Sequence, residues 1–230
     1  MLTKVTKEGL DFFVRDIETS WDHQIIAEMT GKRSYMSLMN LQPTDIVLDA
    51  GGYIGTFACQ AAKQVKRVLS FEPEPTNAQL FLKNVSLNNI KNVSLVQKAV
   101  VSDNDLTKSF YVSTKKSTAG HSLRHCRGRT EIVVECINFD TILATVPCTA
   151  VKIDIEGEEF NIFKRCKAWK NVEELMFEWH FLPLQDVDCD MYYATIEYMQ
   201  RFFAHVCYYP AKPGAWISTV HCSNREVIHD

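Results

Sequence analysis

Short apolar strands alternate with helical segments along most of this 230-residue chain, starting just after Pro43. The predicted strands are apolar throughout rather than alternating, which is typical of a parallel sheet covered by helices on both faces. Right-handed crossovers then favour a doubly wound α/β layout, in which ligands bind beyond the carboxyl ends of the strands. The predicted strands cover residues 46–48, 67–71, 93–101, 132–134, 150–154 and 175–178.

No repeats, low-complexity tracts or linkers rich in proline and glycine interrupt this pattern. We therefore expect one domain over residues 1–230. Residues 1–40 are predicted to be a mainly helical N-terminal cap, and residues 41–230 the Rossmann-like core. Two further apolar segments, 204–209 and 216–221, predict a hairpin at the end of the sheet.

Composition excludes several classes of protein. Apolar residues make up 46% and charged residues 23%, and a net charge of −3 gives no reason to expect nucleic acid or an anionic membrane as partner. The N-terminus lacks the apolar region of a signal peptide, and no apolar run is long enough to span a membrane. Eight cysteines without a CxxC motif predict reduced, mostly buried thiols and a cytoplasmic protein.

The stretch VLDAGGYIGTF, residues 47–57, ends the first predicted strand in an acid followed by closely spaced glycines. Such glycines let the backbone approach a ligand closely. Both dinucleotide and S-adenosylmethionine folds use this position. Asp49 separates them, because its carboxylate can anchor the ammonium group of S-adenosylmethionine but would repel a pyrophosphate. The spacing of Asp49, Gly51 and Gly55 therefore favours S-adenosylmethionine.

A second acid, Glu72, follows the next predicted strand about twenty residues beyond the glycines. A carboxylate at that offset accepts hydrogen bonds from ribose hydroxyls. This feature suits either cofactor. Together with Asp49 and the glycines, however, it makes a βα turn without a ligand a poor explanation of the pattern.

Four blocks in this order resemble FkbM-type methyltransferases: VLDAGGYIGTF, SFEPEPTNAQLFLKNVSLNN, AVVSDND and VKIDIEGEEFNIFK. The resemblance covers roughly residues 45–180, and KIDIEGEE is its most specific block. Two positions depart from the family pattern. Tyr53 stands where asparagine is common, and Gly52 where alanine is common.

The resemblance implies the class I methyltransferase fold, a mostly parallel seven-stranded sheet with an antiparallel C-terminal strand. It also implies an S-adenosylmethionine-dependent enzyme that methylates hydroxyl groups, often on sugars. By analogy the glycine loop holds the methionine part, Glu72 the ribose, and Lys98 and Ala99 border the adenine. The cofactor contacts expected on this basis are Asp49, Gly51, Gly52, Tyr53, Gly55, Glu72, Pro73, Lys98 and Ala99.

Candidate catalytic groups follow two further strands. Asp154 lies at the end of one, and Glu178 and His180 project together from the end of another. A hydroxyl must lose its proton before it accepts a methyl group, so this cluster has two interpretations. His180 is a base oriented by a carboxylate, or Asp154 and Glu178 hold a divalent cation. Glu156 is a candidate substrate contact, whereas Glu158 and Glu159 are expected only to begin a helix.

The polar, basic segment 113–129 is either a solvated loop or a substrate lid. Ser117, His121 and Ser122 carry the hydroxyl and imidazole groups that bind sugars. The segment has no exposed aromatics interleaved with its basic residues between Val112 and Arg129, which a nucleic-acid surface would predict.

Together with the residues above, the resemblance implies an O-methyltransferase acting on a saccharide or glycosylated small-molecule acceptor, for example a deoxysugar such as rhamnose or fucose. No nucleic acid partner is expected; a homodimer or a fusion to other glycan-processing domains fits the pattern. Three alternatives stay open: a nicotinamide-dependent sugar oxidoreductase, an RNA ribose methyltransferase and a non-catalytic binding module. The oxidoreductase would need a Tyr-x-x-x-Lys-type pair, and none is evident.

Overall fold

The structure, a computed structural model, describes residues 2–16, 18, 20–29, 34–113, 121–124, 128–181, 188–210 and 216–225. The strands in chain order are β1 (Thr3–Lys7), β2 (Leu10–Val14), β3 (Ile46–Ala50), β4 (Arg67–Phe71), β5 (Val93–Val96), β6 (Ala99–Val101), β7 (Thr107–Ser113), β8 (Arg129–Asn138), β9 (Ala150–Ile153), β10 (Glu174–His180), β11 (His205–Tyr208) and β12 (Ile217–Ser223). The α-helices are α1 (Asp22–Met29), α2 (Tyr35–Leu38), α3 (Thr56–Ala61), α4 (Pro75–Leu87), α5 (Phe139–Thr145), α6 (Glu159–Arg165) and α7 (Cys189–Met199).

The main sheet has seven strands in the order β11-β12-β10-β9-β3-β4-β5. The strands β10, β9, β3, β4 and β5 run parallel, and β12 is antiparallel to both of its neighbours. The predicted parallel sheet with a C-terminal antiparallel hairpin is therefore present. Strand β3 lies between β4 and β9, so the loops that follow these three strands meet at one edge of the sheet.

Helices cover both faces of this sheet, as the apolar strands predict. Leu48 and Ala50 of β3 pack into a core cluster that contains residues of α5, α6 and α7. Val47, which points the other way, packs with residues of α2, α3 and α4. Because side chains alternate along a strand, Asp49 lies on the same face as Val47.

The first part of the chain differs from its prediction. Residues 3–14 form the hairpin β1–β2 rather than a helix, although α1 and α2 follow it. Glu8 and Gly9 have φ of +49° and +73°, which fits the two-residue type I′ turn that matches the twist of paired strands. Leu10, Phe12 and Val14 alternate on the buried face of β2, so this period of two outweighed the weak helical pattern.

Two asparagines, Asn84 in α4 and Asn88 directly after this helix, hold β2 against the rest of the fold. Asn84 is fully buried; its side chain accepts from Phe13 N at 2.7 Å and donates to Ile54 O at 2.8 Å. Asn88, one turn later, bonds both the N–H and the C=O of Asp11 at 2.8 and 2.7 Å. These side chains satisfy backbone groups that a further strand would otherwise pair.

Replacing Asn84 by alanine should lower the free energy of unfolding by about 2 kcal/mol, because buried backbone groups of Phe13 and Ile54 lose their partners. Urea denaturation measures this change. Asn104→Ala, on an exposed residue, serves as the control and should stay close to wild type. Equal effects of the two substitutions would contradict the role given to Asn84.

A separate three-stranded sheet, β6-β8-β7, stands beside the main sheet. The predicted single strand over 93–101 is wrong here: β5 ends at Val96, and β6 begins at Ala99 and pairs parallel with β8. Lys98 N bonds Val96 O at 2.9 Å, which turns the chain between the two strands. The extended piece predicted at 132–134 is the middle of β8.

All seven cysteines in the described ranges are free thiols, and five of these are buried, in line with the prediction of reduced thiols. Cys126 lies outside those ranges. Within the described residues, no helix has the length and apolarity that crossing a membrane requires.

Candidate functional site

A cavity of about 510 Å³ opens where β3, β4, β9 and β10 end. Its volume falls within the range of small-molecule sites. The loops after β3 and β4 form one wall, and the end of β9 with the segment after it forms another. The remaining sides are closed by residues of β7 and β8 and by the N-terminal segment, by which we mean the described residues from Arg15 to Met29. The N-terminal segment supplies Trp21, Gln24, Ile25, Glu28 and Met29.

The glycine loop after β3 is built for close approach. Gly51 has φ of +89°, and a Cβ on it would lie 1.8 Å from the carbonyl oxygen of Asp154. The N–H groups of Gly51 and Gly52 both bond Phe71 O, which ties the loop to the end of β4. Gly51, Gly52 and Tyr53 line the cavity, whereas Gly55 lies at the start of α3 against Phe81.

Glu72 lines the cavity directly after β4, next to Pro73. Its two carboxylate oxygens accept from Tyr53 N and Glu74 N, both at 2.9 Å. Burial raises the pKa of Glu72 to about 7. The carboxylate is thus fixed in place with lone pairs left to accept from hydroxyl groups.

The N-terminal segment supports the glycine loop through a network absent from the sequence prediction. Arg15 donates to both carboxylate oxygens of Asp22, at 3.0 and 2.8 Å, and to Asn77 at 2.8 Å. The hydroxyl of Tyr53 donates to Asp22, and the Arg15 guanidinium lies 5.3 Å from the centroid of the Tyr53 ring. Tyr53, a departure from the family pattern, is therefore coupled to this segment.

Asp49 is fully buried and does not line the cavity. It lies between Ser70 and Lys152 in the register of β3 with β4 and β9. Its carboxylate accepts from Ser70 Oγ at 2.8 Å and lies 3.4 Å from Lys152 Nζ. In this geometry Asp49 contacts Ser70 and Lys152, and its direct contact with the cofactor stays a prediction.

Lys152 is the central cation of the site. Its Nζ donates to Gly51 O at 2.7 Å and lies 3.5 Å from Asp154 Oδ2. Burial alone would lower the pKa of Lys152, but the carboxylates of Asp154 and Asp49 outweigh it and raise the pKa. Lys152 therefore joins the glycine loop to the acids at the end of β9.

The two residues expected beside an adenine are placed differently. Ala99 lines the cavity. Lys98 does not, because its Nζ pairs with Glu135 of β8 at 3.0 Å. The side chain of Lys98 therefore contributes to the small sheet rather than to the cavity wall.

The candidate catalytic residues come together at one end of the cavity. Asp154 and Glu178 line it, and Glu178 accepts a hydrogen bond from the buried hydroxyl of Tyr35. Burial first, and then the charge of Asp154, raises the pKa of Glu178. Burial is also the main cause of the raised pKa of Tyr35. The Tyr35 hydroxyl therefore stays protonated and acts as the hydrogen-bond donor to Glu178.

His180 lies behind these carboxylates and does not itself line the cavity. Its Nδ1 is 3.1 Å from Glu159 Oε1, and its Nε2 is 3.5 Å from Glu156 Oε2 and 3.9 Å from Glu178 Oε2. Burial would lower the pKa of His180, but Glu159 and Glu156 raise it well above its ordinary value.

Glu159, expected only to begin a helix, organises this region. Its carboxylate accepts from Ile155 N at 3.0 Å and from Gly157 N at 2.8 Å, as well as contacting His180. Glu156 has φ of +58° and lines the cavity, and burial raises the pKa of its carboxyl group. Strained backbone of this kind often occurs at functional sites.

The three candidate substrate residues from the polar segment have different outcomes. His121 lines the cavity and accepts from Ser113 N at 3.0 Å, and burial lowers its pKa to about 4, so the ring is neutral. Ser122 is buried behind the wall, where its hydroxyl donates to Glu156 O at 2.6 Å. Ser117 lies outside the described residues.

Comparison with solved structures shows the fold to be that of known methyltransferases. TYW2 of M. jannaschii in complex with AdoMet matches at 13% identity with a TM-score of 0.53, over 96% of this chain and 84% of that chain. The methyltransferase FkbM of Methylobacillus flagellatus KT matches at 16% identity with a TM-score of 0.50, over 82% of this chain and 46% of that chain. No curated protein matches the sequence.

The sequence also matches a family directly. The pattern of the methyltransferase FkbM domain fits residues 49–208, which is more than half of the chain and includes the glycine loop, Glu72, the acids after β9 and Glu178 in β10. The resemblance predicted from the four sequence blocks is thereby confirmed, and this chain belongs to the methyltransferase FkbM domain family.

Proposed function

We propose that the protein is an S-adenosylmethionine-dependent O-methyltransferase whose acceptor is a hydroxyl of a saccharide or glycosylated small molecule. The observation that carries the cofactor assignment is the charge of the cavity. Five carboxylates line it, against Lys152 and Arg129, and Lys152 is already paired with Asp49 and Asp154. The lining carboxylates are Glu28, Glu72, Asp154, Glu156 and Glu178.

An acidic cavity suits a cofactor that carries a positively charged sulfonium and an ammonium group, and it disfavours the pyrophosphate of a dinucleotide. Glu72 is fixed by two backbone N–H groups and faces the cavity, so it is our candidate for the ribose hydroxyls. Gly51 and Gly52 border the same space without side chains. These residues fit S-adenosylmethionine, which supplies an electrophilic methyl group on sulfur when bound.

The acceptor hydroxyl has to lose its proton as the new C–O bond forms. Asp154, Glu156 and Glu178 face the cavity, and His180 lies directly behind Glu156 and Glu178. Burial raises the pKa of Glu156, which brings this carboxylate closer to the range in which a general base is effective at neutral pH. We therefore place proton removal at this end of the cavity, with His180 holding the carboxylates in position.

We infer the class of acceptor from the residues on the opposite wall of the cavity. Trp21 is 41% exposed and lines the cavity together with Gln24, Phe110 and the neutral His121. Aromatic faces next to neutral hydrogen-bonding groups suit a sugar ring, which has both apolar and hydroxyl surfaces. A deoxysugar such as rhamnose or fucose is the acceptor that we would test first.

Thermal shift titrations test the cofactor assignment. S-adenosylhomocysteine should raise the melting temperature in a concentration-dependent manner, while NAD should not, because only a ligand that binds the folded state stabilises it. Incubation with methyl-labelled S-adenosylmethionine and a panel of glycans should then label a glycan hydroxyl. Stabilisation by NAD alone would overturn the cofactor assignment, and labelling of RNA alone would overturn the acceptor assignment.

The affinity for S-adenosylhomocysteine should increase from about pH 6 to about pH 8, because the ionised Glu72 accepts from the ribose and its pKa is about 7. The same raised pKa means that the unliganded protein loses stability from Glu72 as the pH rises from about 4.5 to about 7. Glu72→Gln should weaken binding by about tenfold or more and flatten the pH profile. Isothermal titration calorimetry measures both effects.

Glu131→Gln is the matched control, since Glu131 is exposed and its carboxylate accepts from Ser109 on the small sheet. Its pH profile should follow that of the wild type. If Glu72→Gln keeps the wild-type affinity and slope, Glu72 does not bind the ribose.

A further inference from the structure

His180 holds a buried nitrogen that lacks a hydrogen bond. The side chain is 7% exposed, and its Nε2 has no hydrogen-bond partner among the described residues. The other ring nitrogen, Nδ1, is 3.1 Å from Glu159 Oε1. Because Glu159 is itself held by the N–H groups of Ile155 and Gly157, it favours the tautomer with the proton on Nδ1. Nε2 faces the carboxylates, and the proton that it carries when the ring is charged is released when a metal ion binds there.

Asp154 and Glu178 offer oxygen atoms to the same point. One donor atom from each of Asp154, Glu178 and His180 lies within 4.8 Å of the other two. Atoms that bind one cation at about 2.1 Å are separated by about 3 to 4 Å, so small rotations of the two carboxylates complete the group. Glu178 is oriented by Tyr35, and Asp154 lies beside Lys152.

The charges at this point are unbalanced. The carboxylates of Asp154, Glu156, Glu159 and Glu178 surround His180, and Asp49 lies just behind Lys152. Among the described lysines and arginines, Lys152 alone forms ion pairs with these carboxylates. Buried carboxylates in such excess need protons or a cation to neutralise them.

We propose that Asp154, Glu178 and His180 bind a divalent cation at the end of the cavity, with Glu159 as the residue that positions His180. Two carboxylates and one imidazole suit a first-row ion such as Mn²⁺ better than an all-oxygen Mg²⁺ site. A carboxylate that holds the second nitrogen of a metal-binding histidine is the usual support for such a site. This arrangement therefore provides both ligands and their positioning group.

The role of the ion in the reaction rests on the proposed function. A cation at this point would lower the pKa of an acceptor hydroxyl that enters from the cavity. The hydroxyl proton would pass to Glu156, which lines the cavity and is not needed as a ligand. Methyl transfer would then form the new C–O bond as the S–CH3 bond of the sulfonium breaks, with the neutral thioether as the leaving group, and the cation is neither oxidised nor reduced.

Manganese binding to the full chain tests the site without any methyl transfer. After treatment with chelator, the wild type should bind one Mn²⁺ per chain by electron paramagnetic resonance titration. Pulsed measurements should also show a nitrogen coupling from the imidazole of His180. Asp154→Asn and Glu178→Gln should each weaken Mn²⁺ binding by about tenfold or more, Glu159→Gln should do so by a similar factor, and His180→Gln should remove the nitrogen coupling.

Glu158→Gln is the matched control, because Glu158 precedes Glu159 but its carboxylate contacts Ser102 and Asn161. It should bind Mn²⁺ like the wild type. Wild-type protein that binds S-adenosylhomocysteine but no Mn²⁺ would overturn the metal site and leave the proposed function intact. Mn²⁺ binding that is unchanged in Asp154→Asn and Glu178→Gln would also overturn it. Mn²⁺ binding at this site without any response to S-adenosylhomocysteine would support the site and contradict the cofactor assignment instead.

Discussion

Gly51→Ala is expected to weaken the binding of S-adenosylhomocysteine by at least about 100-fold, which corresponds to about 3 kcal/mol. Gly51 has φ of +89°, a conformation that costs a residue with a Cβ about 1 to 2 kcal/mol. The added Cβ would also lie 1.8 Å from the carbonyl oxygen of Asp154, so the loop must move. That movement displaces the N–H groups that tie Gly51 and Gly52 to Phe71. Calorimetric titration measures the loss.

Gly128→Ala separates the cost of a positive φ from the effect of the collision between the Cβ and the carbonyl oxygen. Gly128 has φ of +82°, close to that of Gly51, but no atom of the described residues lies within 4 Å of the position of its Cβ. The same substitution there carries the backbone cost without the collision. We expect Gly128→Ala to bind S-adenosylhomocysteine within about twofold of the wild type, with a modest loss of stability. If Gly51→Ala, shown to be folded by circular dichroism, binds as tightly as Gly128→Ala, the glycine loop does not shape the cofactor site.

The central fold was predictable because its signals are local. The uniformly apolar β3 and β4 indicate a sheet buried on both faces, and the observed sheet has helices on both. In α7, Tyr192, Ile196 and Met199 are buried as their helical spacing predicts. In each case, the residues that lie close to a position in the sequence are enough to indicate whether that position is buried.

The parts that were predicted wrongly depend on distant partners. Residues 3–14 form a hairpin whose buried strand, β2, is held by Asn84 and Asn88, more than seventy positions away. In α4, the i, i+3, i+4, i+7 spacing of Ala78, Phe81, Leu82 and Val85 predicts one buried face. Leu82 is nevertheless 56% exposed, and Asn77 and Asn84 are buried instead. Polar side chains that bond backbone groups across the fold are invisible to a pattern based on hydrophobicity.

In the candidate site, too, features with local sequence signals were predictable and features that depend on distant contacts were not. The rule that ligands bind beyond strand ends brought Glu72, Asp154 and Glu178 to one cavity. It did not indicate that Asp49, which lies within β3, would be buried against Lys152. Tyr35 and Glu159 had no signal in the sequence, since their roles come from contacts with Glu178 and His180 made by folding.

Lys152→Met should have the largest effect on stability. Lys152 is buried between Asp49, Asp154 and Gly51 O, and methionine fills a similar volume without the charge. Removing one partner of a buried ion pair leaves the other uncompensated, which costs about 3 to 5 kcal/mol. Urea denaturation of the wild type and the variant measures this difference.

Lys108→Met is the control, because Lys108 pairs with Asp103 and Asp105 at 2.8 Å each in a more exposed position. Its loss should cost less than about 1 kcal/mol. The double variant Asp49→Asn/Lys152→Met then tests the cause. If the cost of Lys152→Met comes from the stranded charge of Asp49, neutralising that carboxylate should recover about 2 kcal/mol, because the two substitutions act on one pair. Additive losses in the double variant would show instead that Lys152 stabilises the protein through Gly51 and Asp154, and that Asp49 is compensated by Ser70 alone.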